Sequence, residues 1–108
     1  MRTHQQLDER SLAMHRLVAK RIRENPELFD KARATLGRWR STVSVGSQPY
    51  LKLWDDVMNE GIEACLDLAV ENSERATALR QASPFAGILT DEERLTFLRT
   101  WNRDHAQN

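Results

Sequence analysis

The sequence predicts an all-α domain: an irregular bundle of five or six helices around one core. Three observations carry that expectation. Apolar residues recur at spacings of three and four in successive segments. Those segments are separated by proline, glycine or short polar stretches. The one strand-like alternation is Thr42-Val43-Ser44-Val45, too short and isolated to find a pairing strand, so it reads as loop. With 108 residues, the chain has room for a single domain spanning 1–108.

The first helix is expected from about Asp8 to Glu24, with Met14, Leu17, Val18, Arg21 and Ile22 along one side. Residues 1–7 ahead of it read as a frayed end. Asn25-Pro26 forms a stop and a restart: Asn25 can cap the next helix, and Pro26 fits its first turn, where no amide hydrogen is needed. Phe29, Ala32, Leu36 and Trp39 then make a second stripe. Gly37 interrupts it at a cost of up to ~1 kcal/mol against alanine, which a close helix crossing would explain. Residues 41–48 form the longest polar connector and read as a loop.

Ser47 and Pro49 introduce a third helix, with Tyr50, Leu53, Trp54, Val57 and Met58 expected on one face. Gly61 breaks it, and Ile62, Cys65, Leu66 and Ala69 continue the apolar face in a fourth. From Ser73 to Ala82 only Ala76 and Leu79 form an apolar face. The last helix has the strongest start signal: Thr90, with Glu93 three residues on, makes a capping box. Leu95, Leu98 and Trp101 are its expected inward stripe, widened by Phe97, and 104–108 reads as a frayed tail. Trp39, Trp54 and Trp101 are expected in or near the core.

The longest apolar run is a few residues, so nothing spans a membrane. The start of the chain lacks the apolar stretch of a signal peptide, and the single cysteine, Cys65, excludes an internal disulfide. Both point to the cytoplasm. Cys65 itself reads as a small core residue.

Net charge is zero, but the signs are segregated. Up to Trp54, eleven basic residues oppose five acidic ones, about +6 by count, and the remainder mirrors this with an equal negative excess. Either the halves neutralise each other across the fold, or a basic face meets nucleic acid or an acidic partner while an acidic face meets a basic protein. On the basic side, Arg16, Lys20 and Arg23 form a ridge at helical spacing that can track phosphates. Against a helix-turn-helix stand Glu27 and Asp30, which would repel phosphate from the start of the second helix.

No catalytic or metal-binding pattern emerges. His4, His15 and His105 have no cysteine or histidine at ligand spacing, and there is no phosphate loop or nucleophile motif. Asp55-Asp56 and Asp91-Glu92-Glu93 are neighbours that diverge around a helix, which suits helix starts rather than a paired-carboxylate site. The chain reads as a non-enzyme with no cofactor and no metal.

The segment "ASPFAGILTDEER" sets Phe85, Ile88 and Leu89 around a proline and a glycine, directly before the capped acidic start Asp91, Glu92 and Glu93. It is either a plug in the chain's own core or a finger that presents apolar anchors and steering charges to a partner. Two blocks, "RSLAMHRLVAKRIRENPELFDKAR" and "SERATALRQASPFAGILTDEERLTFLR", resemble the small helical antitoxin-like proteins of bacterial toxin–antitoxin cassettes. The DNA-binding domain that many antitoxins carry is not recognisable here. The resemblance implies direct binding of a co-expressed toxin and occlusion of its active site. The partner would be a basic or nucleic-acid-handling protein, engaged by Phe85, Ile88, Leu89, Asp91, Glu92 and Glu93. The alternatives are nucleic-acid binding through Arg16, Lys20 and Arg23, or a helical adaptor for a non-toxin partner. The oligomeric state is open at this level.

Overall fold

The computed structural model describes residues 4–42, 46, 48–85 and 87–105. These residues form six helices: α1 (His4–Glu24), α2 (Glu27–Thr42), α3 (Gln48–Glu60), α4 (Ile62–Ala69), α5 (Glu74–Arg80) and α6 (Asp91–Asp104). The all-α expectation holds, and no described residue lies in a strand. No helix among them is long and apolar enough to cross a membrane.

Helix α1 packs on α2, α4 and α5, while α2 packs on α3, α3 on α4, and α4 on α5. The core between them gathers Val18 and Ile22 from α1, Phe29 and Leu36 from α2, Trp54 and Met58 from α3, and Cys65 and Leu66 from α4. Trp54 is fully buried, and its indole N–H donates to the Leu79 carbonyl at 3.0 Å. That bond satisfies a polar atom which would otherwise be stranded in the core. Burial pushes the Cys65 thiol up to about 12, so it behaves as a small apolar side chain.

The breaks between helices have local causes. At Asn25-Pro26 the chain restarts on main-chain bonds, with Leu28 N–H donating to the Asn25 carbonyl at 3.0 Å and Phe29 N–H to that of Pro26. Gly61, at φ 130°, makes the turn between α3 and α4, a conformation costly for any residue with a Cβ. Helix α5 is short but well made: Ser73 caps it by accepting from Ala76 N–H, and Ala76 and Leu79 are buried. Thr90 and Glu93 form the expected capping box on α6.

Several expectations are corrected. Helix α1 starts at His4 rather than near Asp8. Residues 4–7 contain no helix breaker, and Gln5 bonds Glu9 one turn on, so this part is helical instead of frayed; residues 1–3 lie outside the described set. The expected 41–48 loop is helical at both of its ends. Ser41 and Thr42 finish α2 with their hydroxyls on the Arg38 carbonyl, and Gln48 already belongs to α3. Residues 43–45 and 47 are outside the described set. At the other end, Asp104 is helical and His105 closes the last turn, its N–H donating to the Trp101 carbonyl at 2.9 Å; 106–108 are not described.

The core faces of two helices also differ from expectation. On α3, Leu51 replaces Tyr50 and Leu53 on the buried side, leaving those two exposed. Six apolar residues on this helix span more than one face, and the core takes only Leu51, Trp54 and Met58. Helix α6 buries none of its residues, so Leu95, Leu98 and Trp101 are not a core stripe. Trp39 packs against the core as a half-buried neighbour, whereas Trp101 is half-buried but not packed on it. Finally, a Cβ on Gly37 would meet nothing within 4 Å, so no close helix crossing accounts for that glycine.

Candidate partner-docking surface

The connector between α5 and α6 is a plug. Pro84, Phe85, Ile88 and Leu89 are all buried, Phe85 to 3% exposure. The Phe85 ring stands edge-on to Trp54, with centroids 5.3 Å apart, and to His15 at 6.0 Å. Gly87, at φ 90°, and the bond from Ile88 N–H to the Phe85 carbonyl fold the segment so that its apolar side chains point the same way, into the core. As folded, Phe85, Ile88 and Leu89 are therefore unavailable as partner anchors. The pattern of apolar residues around Pro and Gly looks identical for a plug and a finger, which is why sequence left both open.

The acidic residues that follow serve the helix start. Glu93 completes the capping box and also binds the Arg21 guanidinium, and this pairing holds its carboxyl below the usual range. Asp91 lies 3.7 Å from Arg94 on the next turn, and Glu92 is exposed.

Of the basic ridge, Arg16 and Lys20 are exposed and make no ion pair among the described residues. Arg23 is different. It binds Glu63 with two of its nitrogens, at 3.3 and 3.0 Å, and lies 3.7 Å from Asp67. Together with Arg21–Glu93 and Arg40–Asp55 (2.9 Å), this shows the basic half of the chain meeting the acidic half across the fold. Much of the charge segregation is thus internal matching, although pairs this exposed add little stability.

No group of three or more metal-ligating side chains occurs among the described residues. His15 does meet a hydroxyl: Nε2 is 2.7 Å from Ser83 Oγ, while Nδ1 is 2.7 Å from the Ser11 carbonyl. The carbonyl can only accept, so Nδ1 carries the hydrogen, and in the neutral ring that burial favours Nε2 accepts from Ser83. Ser83 Oγ in turn accepts from Phe85 N–H at 3.2 Å. The chain of bonds fastens the plug to α1.

The open surface lies elsewhere. Helices α3, α4 and α5 border a groove of about 440 Å³, with Leu53, Val57, Ala64, Leu68 and Ala78 among its apolar lining and Tyr50 at one end. Leu53 is 51% exposed and Tyr50 41%, two of the few large apolar side chains so exposed among the described residues. Four carboxylates line the groove, Asp56, Glu60, Asp67 and Glu71, against the single guanidinium of Arg75. Arg75 and the Ser73 hydroxyl hold Glu71 ionised, its pKa lowered to about 2. Lys52 engages Asp56 from the same helix at 2.9 Å, and Glu60 has no ion pair among the described residues. An apolar floor inside an acidic rim fits an amphipathic helix with a basic polar face. The sequence signal for this site was the surplus apolar width of α3, which exceeds what one core face can absorb.

Neither a family model, nor a curated protein, nor a solved structure matches the chain.

Proposed function

We propose that this chain is a non-catalytic, cytoplasmic partner-binding protein of the antitoxin type. It seats a basic amphipathic helix of a co-expressed toxin in the α3–α4–α5 groove and so covers the toxin's active site. The observation that carries the docking step is the half-exposed Leu53 inside a rim of Asp56, Glu60, Asp67 and Glu71. A contiguous apolar patch rimmed by polar residues is the pattern of an interaction site, and Leu53 forms one here with Val57, Ala64, Leu68 and Ala78. The acidic rim adds encounter rate and selects for a basic partner. The toxin identity of that partner rests on the resemblance of the two terminal blocks to antitoxin-like proteins. A helical adaptor with a non-toxin partner would use the same groove.

The test is co-expression with the product of the adjacent gene. Stoichiometric co-purification is expected with the wild-type chain and is lost with Leu53→Glu or Glu60→Lys. Relief of growth arrest on co-expression would mark the partner as a toxin. Equal recovery with Leu53→Glu would remove the groove from the proposal, and no recovery from the wild type would remove the partner.

A second reading, nucleic-acid binding, keeps Arg16 and Lys20, which remain exposed on α1, and loses Arg23 to its pairing with Glu63. Retention on duplex DNA or RNA at low salt that disappears in Arg16→Glu/Lys20→Glu would favour it.

A further inference from the structure

Helix α6 carries four large apolar side chains, Leu95, Phe97, Leu98 and Trp101, and none belongs to the core or packs against it. The helix is held at its start by the capping box and the Arg21–Glu93 pair. Phe97, stacked on Trp101 at 6.1 Å, lines the shallow cleft toward Leu17 and Arg21 of α1. At 3.6 residues per turn, Leu95 and Leu98 fall on another side, and Leu95 is 43% exposed. Glu92, Arg99 and Arg103 fall on the flank beside Leu95, with Glu92 also bordering the cleft toward α1. Glu92 and Arg99 have no ion pair among the described residues, and Arg103 reaches only its neighbour Asp104, at 3.4 Å.

From this layout we infer that α6 pairs antiparallel with α6 of a second copy of the chain, about a two-fold axis between Leu95 and Leu98. The charge order is self-complementary: acidic at Glu92, basic at Arg99 and Arg103. Antiparallel pairing sets Leu95 of each copy against Leu98 of the other. It also places each Glu92 between the other copy's Arg99 and Arg103. Parallel pairing would carry the Glu92–Arg99–Arg103 flanks of the two copies to opposite sides of the seam, where they could not pair with each other. The antiparallel arrangement opposes the helix dipoles favourably and closes on itself, as a two-fold interface must. A helix of fourteen residues is about 21 Å long, so the contact is small and the dimer weak.

Sedimentation equilibrium of the full chain, up to about 1 mM to reach weak pairs, tests the pairing. The wild type is expected to be a concentration-dependent dimer. Glu92→Arg and Arg99→Glu, each alone, should raise the dissociation constant about tenfold or more by placing like charges opposite one another. All these positions are exposed, so circular dichroism should report an unchanged helix content. Mixing the two single variants should restore a dimer containing one of each, because their altered charges are then complementary. The double variant Glu92→Arg/Arg99→Glu should dimerise by itself. A monomeric wild type at every concentration would overturn the inference and leave the α6 face to a different protein. A dimer unaffected by either reversal, or by Leu95→Asp, would overturn it as well.

Discussion

His15 and Ser83, 68 residues apart in the chain, are joined by a 2.7 Å bond between Nε2 and Oγ. Through it, a neutral imidazole on α1 holds the buried connector that carries Phe85. Burial lowers the His15 pKa from 6.5, opposed by the Ser11 carbonyl and reinforced by the nearby charge of Arg80. A protonated ring would have to donate at Nε2, turning Ser83 from donor to acceptor and leaving its hydroxyl hydrogen without that partner.

The pH dependence follows from linkage. Because the folded pKa is lowered, the unfolded chain binds the extra proton first as pH falls. The contribution of His15 is therefore complete above pH 6.5 and is lost as pH falls through that value toward the folded pKa. Glu63, Glu71 and Glu93 are lowered from 4.5, so their contributions weaken only in more acidic solution. Urea unfolding between about pH 7.5 and 5.5 should show the wild type losing stability and His15→Gln losing much less. Parallel curves for the two proteins would mean that His15 does not titrate through the fold.

Phe85→Ala should destabilise the protein by about 3–5 kcal/mol, since it empties the site between Trp54 and His15. Leu95→Ala, on the exposed side of α6, should change stability by about 0.5 kcal/mol or less. Denaturant midpoints measure both. Nearly equal midpoints would return Phe85 to the surface and restore the connector as a partner-binding finger.

Gly37 offers the opposite sign. It lies within α2, is exposed, and has open space where a Cβ would go. Alanine there removes backbone freedom from the unfolded chain without a steric cost. Gly37→Ala should stabilise by about 0.5–1 kcal/mol, read as a raised melting temperature. A lowered one would show that α2 needs a flexible or close-packed residue at this point.

These cases show what sequence made legible and what it did not. Periodicity located the core of α2 at Phe29, Ala32 and Leu36, because that helix has one apolar arc and packs through it. The capping box at Thr90 and Glu93 was equally readable, since its two bonds depend on residues three apart. Helix α3 was misread because its apolar arc serves two purposes, with Leu51 and Trp54 in the core and Tyr50 and Leu53 at the groove. Periodicity reports a face but not which body covers it. Helix α6 was misread for the same reason: its stripe is real, yet this chain's core does not absorb it. The groove depends on how α3, α4 and α5 are set together, which no local pattern encodes.

Arg80 shows how much one long-range contact can fix. It is buried at the end of α5, and Nη1 donates to the carbonyls of Ala69 at 3.1 Å and Glu71 at 2.8 Å, just where α4 ends. Terminal helix carbonyls lack partners of their own, and the guanidinium satisfies that of Ala69, together with the Glu71 carbonyl just beyond the helix, while meeting the negative end of the α4 dipole. Nη2 also reaches the Thr77 hydroxyl at 3.3 Å. Arg80→Met keeps the apolar stem and leaves those carbonyls unpaired. The expected loss is about 1–3 kcal/mol, the usual cost of stranding buried polar groups. Arg80→Lys should recover only part of it, because an ammonium lacks the planar fork that reaches two carbonyls and a hydroxyl together. The decisive readout is amide hydrogen exchange in residues 66–71 under native conditions. Faster exchange there, with the α1–α2 junction unchanged, would place the effect at the end of α4. Uniform acceleration would instead assign Arg80 to global stability.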